Sequence, residues 1–164
     1  MTRNIITKRD DVIARLNFFY ESIFENDIAM NSLDSRIKLQ KLVYILKSEG
    51  IDFGYNFTWY IRGPYSSDLA DDGFYLTKRR VQTLSSPYDK TNEDQVVLDK
   101  LAKVKHIIKN SNTAELVASY LFLQPNYGAN TTNELMTRKP RFIETQIREV
   151  MNEWHKATGT NMES

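Results

Sequence analysis

The chain has 164 residues, 41% of them hydrophobic and 26% charged, a length and balance that favour one domain with room for a real core. Its formal net charge of +1 supplies no global field drawing it to nucleic acid or membrane, so any basic patch must be local. With no cysteine, the chain lacks the material for disulfides, thiolate zinc sites and cysteine nucleophiles.

Residues 1–11 are mixed and charged, with no apolar run resembling a signal peptide. No apolar segment approaches the roughly 18 residues of a membrane span. A soluble, cytoplasmic protein without a membrane partner is expected. With 9 Tyr, 8 Phe and 2 Trp, its core is expected to rest on rings.

Residues 9–26 read as a first helix, because Val12, Leu16, Phe19 and Ile23 recur at helical spacing while Ile13, Tyr20 and Phe24 widen the stripe. After a polar break at 27–31, Ser32 or Asp34 is placed to cap a second helix that runs to Glu49 and stops at Gly50. Leu39, Leu42, Val43 and Leu46 form one apolar arc on it, predicted to be buried against the first and last helices. Lys38 and Lys41 flank one side of the arc, and Arg36, Gln40 and Lys47 the other. Positive charge divided in this way reads as a solvated rim.

Residues 57–62 alternate, with Phe57, Trp59 and Ile61 on one face and Thr58, Tyr60 and Arg62 on the other, as in a half-buried strand. Gly63-Pro64 is predicted to end that strand, and Tyr65 to cover the rings around Trp59. Ser66 or Ser67 then starts a short helix to about Leu76, with Asp68, Asp71 and Asp72 complementing its dipole. Residues 85–92 are loop-like. Residues 93–109 read as a third long helix, with Val97, Leu101, Val104 and Ile108 on one face. Asn112 or Thr113 begins a fourth, stopped near Pro125, and Thr131 or Thr132 caps a short turn through Leu135 and Met136. Ile143, Ile147, Val150, Met151 and Trp154 mark the closing helix. The expected fold is mainly α: a compact multi-helix domain with a small β-hairpin or wing-like element around residues 55–63. A single helical domain is expected over 1–157, comprising a signature part at 32–80 and a helical C-terminal half at 92–157, with a frayed tail at 158–164.

Chemistry is sparse. His106 and His155 fall on separate helices without a second ligand at useful spacing, and the Asp68/Asp72 pair is explained by the helix start. The chain has no Gly-x-Ser-x-Gly elbow, no phosphate-cradling glycine loop and no histidine beside an evident nucleophile. No catalytic residue, metal site or cofactor is expected. A helix, a second helix, a strand and a turn can build a winged-helix-like unit exposing Arg62 on the strand and Lys78, Arg79 and Arg80 after the next helix. Four clustered cations would contact phosphates, but the second helix offers few groups for reading bases.

Residues 36–44, Arg-Ile-Lys-Leu-Gln-Lys-Leu-Val-Tyr, then 59–66, Trp-Tyr-Ile-Arg-Gly-Pro-Tyr-Ser, and Leu69 together resemble the signature of the Panacea (SocA-like) antitoxin domain group. The C-terminal half, with a helix like 115–123 followed by Arg138-Lys139-Pro140-Arg141-Phe142 and a closing helix, is similar to a side branch of small archaeal and bacterial proteins in that group. The similarity spans about residues 34–154. Panacea domains typically carry Gly-Pro-Val after the strand, where this chain has Gly63-Pro64-Tyr65-Ser66. The resemblance implies a helical domain that acts by protein contact, with a toxin as partner, and supplies no catalytic residue. On this reading the chain is a non-enzymatic interaction module whose partner surface includes Arg62 and Tyr65, although Tyr65 also suits a core position in so aromatic a chain. The alternative is a winged-helix-like DNA-binding regulator using Arg62, Lys78, Arg79 and Arg80. A homo-oligomer is compatible with either.

Overall fold

The computed structural model describes residues 8–83 and 88–159, without the side chains of 8 and 79–83. In chain order it forms α1 (Lys8–Phe24), α2 (Leu33–Ser48), β1 (Thr58–Tyr60), β2 (Gly63–Tyr65), α3 (Ser67–Thr83), α4 (Asn92–Ala102), α5 (Lys105–Lys109), α6 (Ser111–Tyr127), α7 (Thr131–Arg138) and α8 (Glu144–Thr158). The expected class is borne out: the molecule is mainly helical with one small antiparallel hairpin.

Helices α2, α4 and α6 start where a side chain satisfies their free N–H groups. The Ser32 hydroxyl accepts from Ser35 N at 3.1 Å to open α2. Thr91 and Asp94 form a reciprocal capping box on α4, and Asn110 Oδ1 accepts from Asn112 N and Thr113 N to open α6. Gly50, at φ 95°, lets the chain leave α2 in the left-handed region.

Helix α6 is the centre of the molecule. Its apolar residues Leu116, Val117, Ala118, Tyr120 and Leu123 are all buried, as expected of a helix that is hydrophobic nearly all round. Helices α2, α5, α7 and α8 and strand β2 pack around it, while α1 packs on α2, α3, α4 and α5. Leu39, Leu42, Val43 and Leu46 are buried as predicted, but the principal neighbour of α2 is α6 and not the terminal helices.

Several boundaries differ from the sequence reading. The helix expected over 93–109 is broken at Lys103 and Val104, where Val104 takes φ −123° and ψ 22°. Val104, Ile107 and Ile108 are all buried, and these β-branched side chains crowd a continuous helix. Pro125 does not itself end α6 but lies in its last turn, two residues before the helix stops at Tyr127. Helix α3 continues to Thr83, past Leu76, so Lys78, Arg79 and Arg80 lie within it and not after it. Thr158 is part of α8, its hydroxyl donating to Trp154 O at 2.8 Å. The rest of the tail predicted over 158–164, from residue 160 on, lies outside the described residues, as do residues 85–87 of the predicted loop.

The hairpin itself is shorter than expected. Thr58 pairs with Tyr65, Trp59 with Pro64 and Tyr60 with Gly63, so Gly63-Pro64 begins the return strand instead of ending the first. Ile61 and Arg62 form the tip. Gly63 at φ 87° completes the reversal, as a short hairpin loop requires of one residue. Ile61 therefore leaves the face it was assigned and is 71% exposed.

A candidate interaction site at the hairpin

The hairpin is anchored by polar side chains of two helical segments. The Gln40 amide makes two bonds to one residue: Nε2 donates to Ser66 O at 2.8 Å, and Oε1 accepts from Ser66 N at 2.9 Å. One residue on, Lys41 Nζ donates to Pro64 O at 2.7 Å. From the other side Lys139, just beyond α7, donates to Ile61 O. Ser66 Oγ in turn accepts from Leu69 N and opens α3. The solvated-rim reading of α2 is thus corrected for Gln40 and Lys41: both are buried, Lys41 to 1% exposure, because the hairpin closes over them.

Beneath the anchor lies a small ionic centre. Glu115 of α6, fully buried, accepts from Arg141 and lies 3.6 Å from Lys139 Nζ. Arg141 also donates to Asn112 Oδ1. Burial pulls the Lys41 ammonium down to about 7, with Glu115 opposing and the Lys139 cation adding to the fall. Burial likewise lowers Lys139, against Glu115 and with Arg141 and Arg62. Two buried atoms of this centre have no hydrogen-bond partner, Glu115 Oε1 and Ser119 Oγ. Ser119 Oγ lies so close to Gly63 that a Cβ there would meet it at 2.3 Å. Only glycine fits.

The inner face of the hairpin is aromatic. Trp59 packs on Phe122 at 5.8 Å between ring centres, and Tyr44 packs on Phe57 at 5.1 Å and Phe122 at 5.8 Å. Burial among these rings pushes the Tyr44 hydroxyl up to about 12. Arg138 lies 5.0 Å from the Trp59 ring centre while bound to Glu134 and Tyr127. The outer face carries Tyr60, 56% exposed, stacked at 5.3 Å on the half-buried Tyr65. Tyr65 therefore covers Tyr60 and not the Trp59 rings, because it pairs with Thr58 and lies diagonal to Tyr60 on the same face.

Of the residues singled out from sequence, Arg62 and Tyr65 share this hairpin, and Arg62 is exposed at its tip. Lys78 is exposed on α3, about 16 Å along the helix axis from its start beside β2. The side chains of Arg79 and Arg80 lie outside the described residues. Gln40, Lys41, Glu115 and Lys139 escaped the sequence reading. The missed signal was that Lys41 has Ile37, Tyr44 and Ile45 at helical spacing around it, which places it inside a wide apolar face.

Elsewhere, His106 pairs with Glu153 at 2.6 Å, and His155 is buried with its ring against Tyr120. Asp72 accepts from Arg9 and from the Tyr55 hydroxyl. Among the described residues, no group of three or more His, Asp or Glu is placed to hold a metal ion, and no helix is long and apolar enough to cross a membrane. No protein-family model matches the chain, and no curated protein or solved structure is significantly similar to it.

Proposed function

We propose that the chain is a non-enzymatic, antitoxin-like interaction module that binds a partner protein in the cytoplasm through the tip and outer face of the hairpin. One observation carries this reading: Tyr60, Ile61, Arg62 and Tyr65 are presented outward from a backbone anchored on its inner side by Gln40, Lys41 and Lys139. Tyrosine and arginine are the residue types that most often dominate interface energy, and a surface held rigid before binding loses little freedom when it docks. The antitoxin element rests on the resemblance of residues 36–44 and 59–69 to the Panacea group, and makes a toxin the expected partner. The buried ionic centre suits an anchoring role, because its groups face the hairpin backbone.

The test is a binding comparison. A partner captured from the native host is expected to lose at least about tenfold in affinity to Arg62→Ala and Tyr65→Ala, with Arg62→Ala melting like the parent. Unchanged binding by both variants would remove the hairpin from the interface. Turnover of a substrate by the purified chain would overturn the non-enzymatic reading. A salt-sensitive gel shift that depends on Lys78, Arg79 and Arg80 would favour the winged-helix-like regulator instead.

A further inference from the structure

We propose that the partner docks an acidic segment here, with a carboxylate seated on the Arg62 guanidinium and a neighbouring apolar side chain covering Ile61 and the Tyr60–Tyr65 pair. This rests on the reading of the hairpin as the interface and names the chemistry that fits it.

Charge is the first reason. Arg62 is exposed and forms no ion pair with any described residue. Its charge reaches Lys139, which also feels Arg141. Lys139 and Arg141 in turn hold the carboxylate of Glu115, whose side chain is 1% exposed behind them. The surface at the tip is positive, and its local counter-charge is hidden inside. A guanidinium in that setting takes a carboxylate in a paired, fork-like geometry.

The second reason is the apolar part. Ile61 is the most exposed large hydrophobic residue among those described, and Tyr60 stands beside it. An aliphatic tip next to a tyrosine pair matches an apolar protein side chain, whereas a nucleic acid would use only the tyrosine rings and hydroxyls and leave Ile61 uncovered. The number of free cations makes the same distinction. Arg138 is committed to Glu134 and Tyr127, and Lys139 and Arg141 to Glu115. Among the described residues of the hairpin patch Arg62 alone is uncommitted, so the patch would neutralise about one phosphate, far fewer than the roughly six to ten of a nucleic-acid-binding surface.

The experiment is an amide NMR titration with a short peptide of glutamates interspersed with leucines. A glutamine-for-glutamate peptide and single-stranded DNA of equal charge serve as competitors. Shifts are expected at residues 58–65 and around Lys139 and Arg141, with affinity falling on the order of ten- to a hundredfold for the glutamine peptide and for Arg62→Glu. Arg62→Glu leaves no buried group unpaired, so an unchanged melting temperature shows that the loss belongs to the surface. Equal binding of the glutamine peptide, preference for DNA, or shifts confined to other regions would each overturn the proposal. A native partner that needs Tyr65 yet binds Arg62→Glu as tightly as the parent would overturn the acidic segment while leaving the hairpin interface in place. A partner indifferent to both residues would remove the interface as well.

Discussion

Lys41 is the residue on which the molecule depends least visibly. Its ammonium is buried at the end of a helix side chain and aimed at Pro64 O, and burial holds its pKa near 7 in place of the usual 10.5. Between those two values the unfolded chain keeps a proton that the folded chain has released. Stability should therefore rise with pH across that window, while the neutral amine still donates to the carbonyl. Thermal melts from pH 7 to 10 should show the rise in the parent and a flatter profile in Lys41→Met. Coincident profiles would mean that Lys41 is solvated. Gly63 offers a sharper test. An alanine there would take a left-handed φ and strike Ser119 Oγ, so Gly63→Ala should cost at least about 2 kcal/mol. Ser119→Ala removes a hydroxyl with no partner and should be near neutral alone. In the double variant it should recover the steric share, leaving about 1 kcal/mol for the backbone. If the two effects simply add, the close approach is wrong.

At the scale of elements, periodicity served where one apolar face does the packing. α1, α2 and α8 could be placed to within a few residues because their stripes are regular and α2 and α8 stop at glycine. It misled where local chemistry competes with the pattern. Val97, Leu101, Val104 and Ile108 keep helical spacing straight through the break between α4 and α5. Likewise the residues flanking Gly63-Pro64 contain no signal separating a strand end from a strand start. The partners that decide the anchor are 23 and 26 residues away from Lys41 and Gln40, so no local window contains them. The burial of the α2 arc gives a direct check. Leu42→Ala removes a fully buried side chain of α2 and should cost about 2–5 kcal/mol in denaturant titrations. A cost under about 1 kcal/mol would place Leu42 on a surface.

Across the whole molecule, the first and second halves are joined by polar as well as apolar contacts. Asp94 is the main junction: its carboxylate accepts from Arg15 Nη2 at 2.6 Å, Tyr88 Oη at 2.5 Å and Thr91 N at 3.0 Å. Burial alone would raise its pKa, but the bonds from Tyr88, Arg15 and Thr91 hold it below the ordinary carboxylate value. Its contribution is therefore present above about pH 4 and is lost as pH falls through the depressed value. Asp94→Ala should cost about 2–4 kcal/mol at neutral pH, less than a fully buried pair because Arg15 is partly solvated. The gap between variant and parent melting temperatures should narrow below pH 4. A constant gap down to pH 2 would place the stabilisation elsewhere.

A two-stranded sheet ordinarily leaves an open edge, and such an edge recruits further strands. Here Pro64 has no N–H to offer and gives its carbonyl to Lys41, while Gln40 takes both backbone groups of Ser66. Two side chains of a helix thus stand where a third strand would lie. The hairpin can expose an aliphatic tip without inviting edge-to-edge growth on that side. Whatever it meets must be read through side chains, since the main chain there has already been answered from within.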